Sequence, residues 1–461
     1  MDLQSAVVVV DPFSTGDALA RHLVSHHDLP LVVVLSSMRD EPMAWREQEK
    51  RELDIAGAVA IIQDAPGCRD ATLSALVALP FRVVDVLVGA ESGVELCDEL
   101  CAALSLRGND VAGTAVRIDK YEQHEALRCA GLAACTQSLA TSEADVEAFL
   151  AAWHGGGDPL AAFAPIVVKP VDGSGSAGIT KCDSPAAVRA AFRALLGTTN
   201  MLGRSCRSVL LQEHLPGVEY TVDTVSCGGA HKCVAIWRQD RRAMGAASPF
   251  MYIGQALLSV EEEPHLPALV EYAFGALDAL GMRYGAACCE IKHEGRGRGH
   301  VLVEVNCRLD GGGGAWVALV EATGMGYTQV SALADMYFAP QAYAAIPPMP
   351  TIRSGARRGS VSTIRSPVGG VVARVREEVF DRIRALPSFL SMNLANFPRA
   401  GERIARTVDM MTYYGCCDLC HTDAALLRQD YDILQLIMDS PAEALVEIEA
   451  ADQGTAHSPS F

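Results

Sequence analysis

Residues 285–314 read GAACCEIKHEGRGRGHVLVEVNCRLDGGGG, and the reading of this stretch decides the rest. Residues 286–292 and 300–306 are apolar, strand-like runs. EGRGRG between them holds three glycines that can take the positive φ angles of a hairpin connection. Each run carries one carboxylate where an apolar residue is expected, Glu290 in AACCEIK and Glu304 in VLVEVN. Charged side chains are seldom buried unless paired or bound to a metal, so two on neighbouring strands ask for a cation. Glu304 and Asn306 are two apart and share one face of their strand. Glu290, Glu304 and Asn306 are hard oxygen donors that suit Mg²⁺, an ion that takes one or two carboxylates, water and substrate phosphates. Arg308 continues the alternation and is placed to hold an anion beside the metal. A solvated sheet face with Arg308 paired to a glutamate would use the same residues. The glycines at 311–314 tip the balance, because a bare backbone can bring N–H groups close to an oxyanion.

Upstream of the hairpin, residues 267–280 read as an apolar helix with Pro267 tolerable in its first turn. Before it, SVLLQEHLPGVEYTVDTVS (208–226) contains two strands broken by HLPG, with Gln212 and Glu213 closing the first and Glu219 opening the second. PIVVKP (165–170) puts Lys169 inside a strand, where a buried lysine needs an anion. VDGSGSAG (171–178) follows, a glycine- and serine-rich connection able to fold over phosphates, although a flexible hairpin is the plain alternative. It is not a Walker A loop. Gly173, Gly175 and Gly178 spell G-x-G-x-x-G, but the run leads into the strand ITKC and not into a helix, so the dinucleotide fingerprint lacks its context. RIDKYEQHEALRCA (117–130) reads as a helix opened by Asp119. Lys120 in its first turn opposes the macrodipole, a placement that a phosphate would explain.

Residues 1–115 alternate short β-branched runs with helical segments, the pattern of an open, doubly wound parallel sheet. Ligands in such sheets sit beyond the carboxyl ends of the strands, which points to DPFSTG (11–16) and GAESG (89–93); turn and cap chemistry accounts for both equally well. Residues 116–345 change to hairpins plus helices, an α+β region of two subdomains. Residues 346–450 read as a small C-terminal α+β domain, with strands around PVGG and a late helix, and 451–461 as a disordered tail.

The 461 residues allow about three domains. A formal charge of -18, from 38 basic and 56 acidic residues, argues against a nucleic-acid partner. No apolar run approaches a membrane span, and the N-terminus enters a strand without a charged leader, so a cytoplasmic protein is expected. The 15 cysteines are odd in number and scattered through apolar contexts, as free core cysteines are. Cys416, Cys417, Cys420 and His421 include a formal C-x-x-C-H, but neither haem attachment nor zinc suits a cytosolic chain with no second ligand pair, and structural cysteines are the expectation.

In this order and spacing, VVDPFSTGDALA (9–20), GAESGVELCDELCAALSLRGND (89–110), DKYEQHEAL (119–127) and EVNCRLDGGGG (304–314) resemble the ATP-grasp superfamily over most of the chain. Within it they are most similar to the carboxylate–amine ligases called L-amino acid ligases, which are dipeptide synthetases. The resemblance implies an ATP-grasp fold and ATP and Mg²⁺ as cofactors, with Mn²⁺ able to substitute. Lys120 and Lys169 then match the two nucleotide-binding lysines, and Ser174 and Ser176 the loop that covers the triphosphate. Gln212, Glu213 and Leu215 match the hinge whose backbone holds adenine, and Glu219 the glutamate that bonds the ribose. Glu290, Glu304 and Asn306 match the Mg²⁺ ligands. Arg308 matches the arginine that steadies an acyl phosphate and, with Lys169, forms the catalytic pair. Two positions depart from the pattern: relatives usually carry Glu where Gln212 stands and often His where Cys288 stands. The implied reaction activates a carboxylate with the γ-phosphate, releases ADP, and lets an amine displace phosphate from the acyl phosphate. The substrates are then a small carboxylate and an amine, and a homodimer is an open expectation. A bicarbonate-activating carboxylase would share the nucleotide site, and a non-catalytic nucleotide-binding protein would not need the full metal and arginine set.

Overall fold

The computed structural model describes residues 3–36, 57–65, 67, 69–153, 163–172, 178–199, 205–244, 250–295, 297–353, 355–394, 397–408 and 412–449. Ser174 and Ser176 and the expected tail at 451–461 lie outside the described residues.

The N-terminal sheet is parallel, in the order Ala58–Gln63, Leu31–Leu35, Gln4–Val10, Phe81–Val88. Alternation along its two inner strands builds two cores. Val7, Val9, Leu31 and Val33 pack with Leu19 and Leu23 of helix Thr15–His27 on one face. Ala6, Val8, Val10, Val32 and Val34 pack with Leu76, Leu96 and Leu100 on the other. A strand buried on both faces reads as the unbroken apolar run seen here, each side chain contributing about 1.5–3 kcal/mol by its burial. Where the first strand ends, Gly89 and Gly16 come together: a Cβ on Gly89 would meet Asp11 O at 2.4 Å, and one on Gly16 would meet Gly89 O at 2.6 Å. This approach brings the DPFSTG and GAESG stretches side by side.

The boundary expected after residue 115 falls inside helix Thr114–Ile118. From this helix Arg117, 1% exposed, donates to Asp98 Oδ2 at 2.7 Å and to Leu280 O at 3.4 Å, tying the N-terminal unit to the centre. Asp119 caps helix Lys120–Cys129 through Tyr121 N and Glu122 N, as its position predicts.

The central region has two antiparallel sheets. The smaller runs Gln137–Ala140, Val209–Glu213, Ile166–Pro170, Thr180–Cys182, with helices Glu143–Ala152 and Pro185–Leu195 over one apolar face. The larger has eight strands, in the order His300–Asn306, Gly285–His293, Val218–Cys227, Ala230–Arg242, Met251–Leu258, Arg358–Thr363, Gly415–His421, Phe389–Leu394. Helix Leu266–Ala279, with its expected early proline, covers one face of the hairpin end. HLPG thus does not turn one strand back on the other; it carries the chain from the small sheet to the large one. Likewise the strands either side of PVGG lie in different sheets, since Gly370–Val375 joins a three-stranded sheet with Arg403–Ile404 and Val446–Ile448. Residues 346–450 therefore share the central sheet through three strands, where a separate small domain was expected.

Cys417 and Cys420 are three apart on the strand Gly415–His421 and so face opposite ways. Both are free thiols, and His421 Nδ1 accepts from Asp423 N at 2.9 Å. The C-x-x-C-H spelling builds no common site. No helix among the described residues is long and apolar enough to cross a membrane.

Candidate active site

The hairpin forms as read: Gly285–His293 pairs with His300–Asn306, and Gly295, Gly297 and Gly299 of the connection all have positive φ. A bulge between Glu290 and Ile291 sets the register so that Glu290 lies directly opposite Glu304, and Cys288 opposite Asn306. On its other edge the strand pairs Cys288 with Asp223, Glu290 with Thr221 and Lys292 with Glu219. Opposed residues share a face, so three strands present one polar surface in rows. Bulges recur beside active sites because they re-aim a side chain by one position.

Asn306 Nδ2 donates to Glu290 Oε1 at 3.3 Å and to Glu304 Oε1 at 3.5 Å, so the three expected metal ligands converge. Lys120 Nζ lies 3.0 Å from Glu304 Oε2. Lys169 is 3% exposed and reaches no hydrogen-bonding or ion-pairing partner among the described residues. Burial pushes the Glu290 carboxyl up to about 8, with Glu304 adding to the rise and Arg241 opposing it. Burial works the same way on Glu304, but Lys120 and Lys169 outweigh it and hold that carboxyl down at about 2. Burial likewise disfavours the Lys169 ammonium. A divalent cation would relieve the opposed carboxylates and an anion would relieve the buried lysine, so this donor set fits a metal–phosphate ligand.

The remaining expected residues divide. Glu219, 4% exposed, pairs with Lys292 Nζ at 3.2 Å and with Arg241. Gln212 is buried, its Nε2 donating to Gln137 Oε1 at 3.1 Å, while the partly exposed Glu213 meets Arg298 at 2.6 Å at the surface. Glu213 N and His214 N donate to Thr136 O and Pro165 O. Leu215 N has no acceptor among the described residues. Arg308 Nε lies 3.3 Å from Glu91 Oε2, which brings the GAESG stretch into the site. The glycine run does not offer all its N–H groups: Gly311 N donates to Asp310 Oδ1 at 2.7 Å and Gly313 N to Ser14 Oγ at 3.1 Å. With Thr15 Oγ1 donating to Gly311 O at 3.1 Å, the run serves to dock DPFSTG against the centre. Trp316 is buried in the core, its Nε1 donating to Gly311 O.

Arg241 and Tyr252 belong to the site without having been expected there. Arg241 lies 3.0 Å from Glu290 Oε2 and over the Tyr252 ring at 3.5 Å, and Tyr252 OH donates to Glu290 Oε2 at 2.9 Å. In sequence Arg241 sits in RQDRR, which looks like a solvated strand end.

Comparison with known proteins bears on the fold that carries this site. Residues 162–315 match the ATP-grasp domain family. The chain is 28% identical over 351 residues to dapdiamide A synthase of Enterobacter agglomerans, covering 76% of this chain and 78% of that one. Its fold is similar to that of an L-amino acid ligase from Bacillus licheniformis, at a TM-score of 0.69 and 16% identity over 98% of this chain and 100% of the other. It is also similar to that of an N5-carboxyaminoimidazole synthase from Aspergillus clavatus in complex with ADP, at 0.64 and 13% identity over 95% and 99% of the two chains.

Proposed function

We propose that this chain, an ATP-grasp protein by its central domain and by its fold, is an ATP-dependent ligase. It joins the carboxylate of one amino acid to the amine of a second through an acyl phosphate, releasing ADP and phosphate. The observation that carries the reading is the register placing Glu290 opposite Glu304 with Asn306 bridging them, beside two buried lysines and Arg308. Likeness to a dapdiamide A synthase and to an L-amino acid ligase supports the amide-forming chemistry.

A carboxylate is a poor acyl donor because its leaving group would be oxide, so amide formation in water needs prior activation. Glu290, Glu304 and Asn306 would hold Mg²⁺, which when bound neutralises charge on the phosphates. Lys169 and Lys120 supply fixed positive charge at the transferring phosphoryl group, where positioning and electrostatics are most of catalysis. Leu215 N would take the adenine and Glu219 the ribose hydroxyls. Arg308, turned into the site by Glu91, would hold the acyl phosphate while the amine attacks.

The test is the nucleotide product with ATP, Mg²⁺ and pairs of amino acids. ADP and phosphate are expected, with release dependent on an amino acid. AMP and pyrophosphate would overturn the mechanism. Bicarbonate-dependent ADP release without any amino acid would make the protein a carboxylase.

A further inference from the structure

We propose that Asp310, backed by Asp223 and Cys288, receives the amine substrate as its ammonium ion and takes the proton that must leave before the nitrogen can attack. This rests on the ligase reading above. One ligand atom from each of Asp223, Cys288 and Asp310 lies within 4.8 Å of the other two, and Asp223 and Cys288 are buried at 0% and 2% exposure. The cluster adjoins the reacting groups: Asp223, Cys288 and Asn306 form the row next to Glu290 and Glu304, and Asp310 follows Arg308 by two residues.

The hydrogen bonding leaves this cluster open on one side. Asp310 Oδ1 accepts from Gly311 N at 2.7 Å and from Cys288 Sγ at 3.5 Å. Gln329 Oε1 holds the Asp310 backbone through its N–H at 2.8 Å. Asp310 Oδ2 receives no donor among the described residues, and the residue is only partly buried. Beneath it, Asp223 Oδ2 accepts from Trp237 Nε1 at 2.8 Å, while Asp223 Oδ1 is fully buried with no hydrogen-bond partner. An unpartnered carboxylate oxygen facing a second carboxylate calls for a positive ligand or a proton. Burial pushes both carboxyls up, Asp310 adding to the rise at Asp223 and Arg308 opposing it at both, which makes Asp310 a better base than a solvated aspartate.

An amino acid's α-amino group titrates near 8 or above and at neutral pH carries a proton with no lone pair to offer. In the proposed step the ammonium N–H proton passes to Asp310 Oδ2. The freed electron pair forms a C–N bond at the acyl phosphate carbon, the C–O bond to phosphate breaks with its electron pair leaving on the phosphate, and the departing phosphate oxygen takes the second N–H proton, which leaves a neutral amide and hydrogen phosphate. No oxidant or further reactant is needed.

Asp310→Asn separates this role from a structural one when two nucleophiles are compared. Hydroxylamine is largely neutral near pH 7 and needs no base before it attacks. The variant should lose roughly 100-fold or more of its amide synthesis from an amino acid while forming hydroxamate within about 3-fold of the wild-type rate. Raising the pH should restore its amine reaction as free amine accumulates, and Asp310→Glu, which keeps a carboxylate, should retain more of that reaction than Asp310→Asn. Equal loss with both nucleophiles, or equal loss in the Asn and Glu variants, would overturn the proposal. Wild-type hydroxamate formation shows that the ligase reading stands whatever Asp310 does, and its absence with every carboxylate would remove both.

Discussion

Glu304 stands opposite Glu290 and 3.0 Å from Lys120 Nζ, and Lys120 and Lys169 hold it ionised against its burial. Glu304→Gln keeps shape and a hydrogen-bonding group but removes the charge. Steady-state kinetics at saturating Mg²⁺ should show kcat reduced by roughly two orders of magnitude or more, the scale of losing an electrostatic stabiliser; an unchanged kcat would sink the metal assignment. Lys169 makes the opposite kind of prediction. Its ammonium is buried and makes no direct ion pair among the described residues, Glu304 favouring it only through space against the cost of burial, so Lys169→Ala should leave the melting temperature without nucleotide nearly unchanged. ATP affinity by calorimetry should fall at least about tenfold, or about 1.4 kcal/mol. A large loss of apo stability with normal ATP affinity would show the lysine to be structural. These residues were legible because each is a charge inside an apolar strand. Arg241 and Tyr252 were not, since their meaning comes from Glu290, which reaches them only after the chain has built the intervening strands.

At the level of elements, the strands themselves were readable and their partners were not. Period and turn residues locate Val209–Glu213 and Val218–Cys227, but nothing local says that HLPG passes from one sheet to another. The geometry there is demanding. Gly217 has φ +93°, and a Cβ would sit 2.1 Å from His293 O of the carboxylate hairpin. Gly217→Ala should therefore destabilise by about 2–3 kcal/mol, read as a melting temperature several degrees lower. A melting curve matching wild type would show that the two segments can part at little cost. In the strand Gly415–His421, Asp418 is 4% exposed and accepts from Ser391 Oγ at 2.7 Å. Burial pushes its carboxyl up to about 6 from an ordinary 3.8, with Ser391 opposing. A folded-state pKa above the unfolded one means that stability from this group is complete below about pH 4 and lost as pH rises through about 6. Asp418→Asn removes that loss, worth about 3 kcal/mol for a shift of two units. The melting temperature of the variant relative to wild type should climb from pH 4 to pH 7, and a flat difference would show that the buried carboxyl is not what titrates.

On the scale of the whole molecule, the residues proposed to hold one nucleotide are divided between two sheets that no strand shares. Lys169 belongs to the four-stranded sheet, Glu290, Glu304 and Asn306 to the end of the eight-stranded sheet, and Lys120 to the helix that Asp119 starts. Composition and local pattern located each part, but the strand order that brings residues 358–421 beside 251–258 follows from packing across the whole chain, which no short window contains. Such a division has a thermodynamic consequence. A ligand held by both sheets lowers the free energy only of conformations in which both are in place, so its binding energy opposes every local opening that separates them. At 100 times its dissociation constant a ligand stabilises by about 2.7 kcal/mol, enough to slow exchange about 100-fold for amides whose opening disrupts the site. Hydrogen exchange with and without ATP and Mg²⁺ should therefore show added protection in both Ile166–Pro170 and His300–Asn306, and in Lys169→Ala the protection of both strands should fall together. Protection confined to the large sheet would mean that the metal ligands bind phosphate without Lys169. Protection confined to the small sheet would mean that nucleotide binds away from Glu290 and Glu304, and the assignment of those carboxylates to the metal would fall with it.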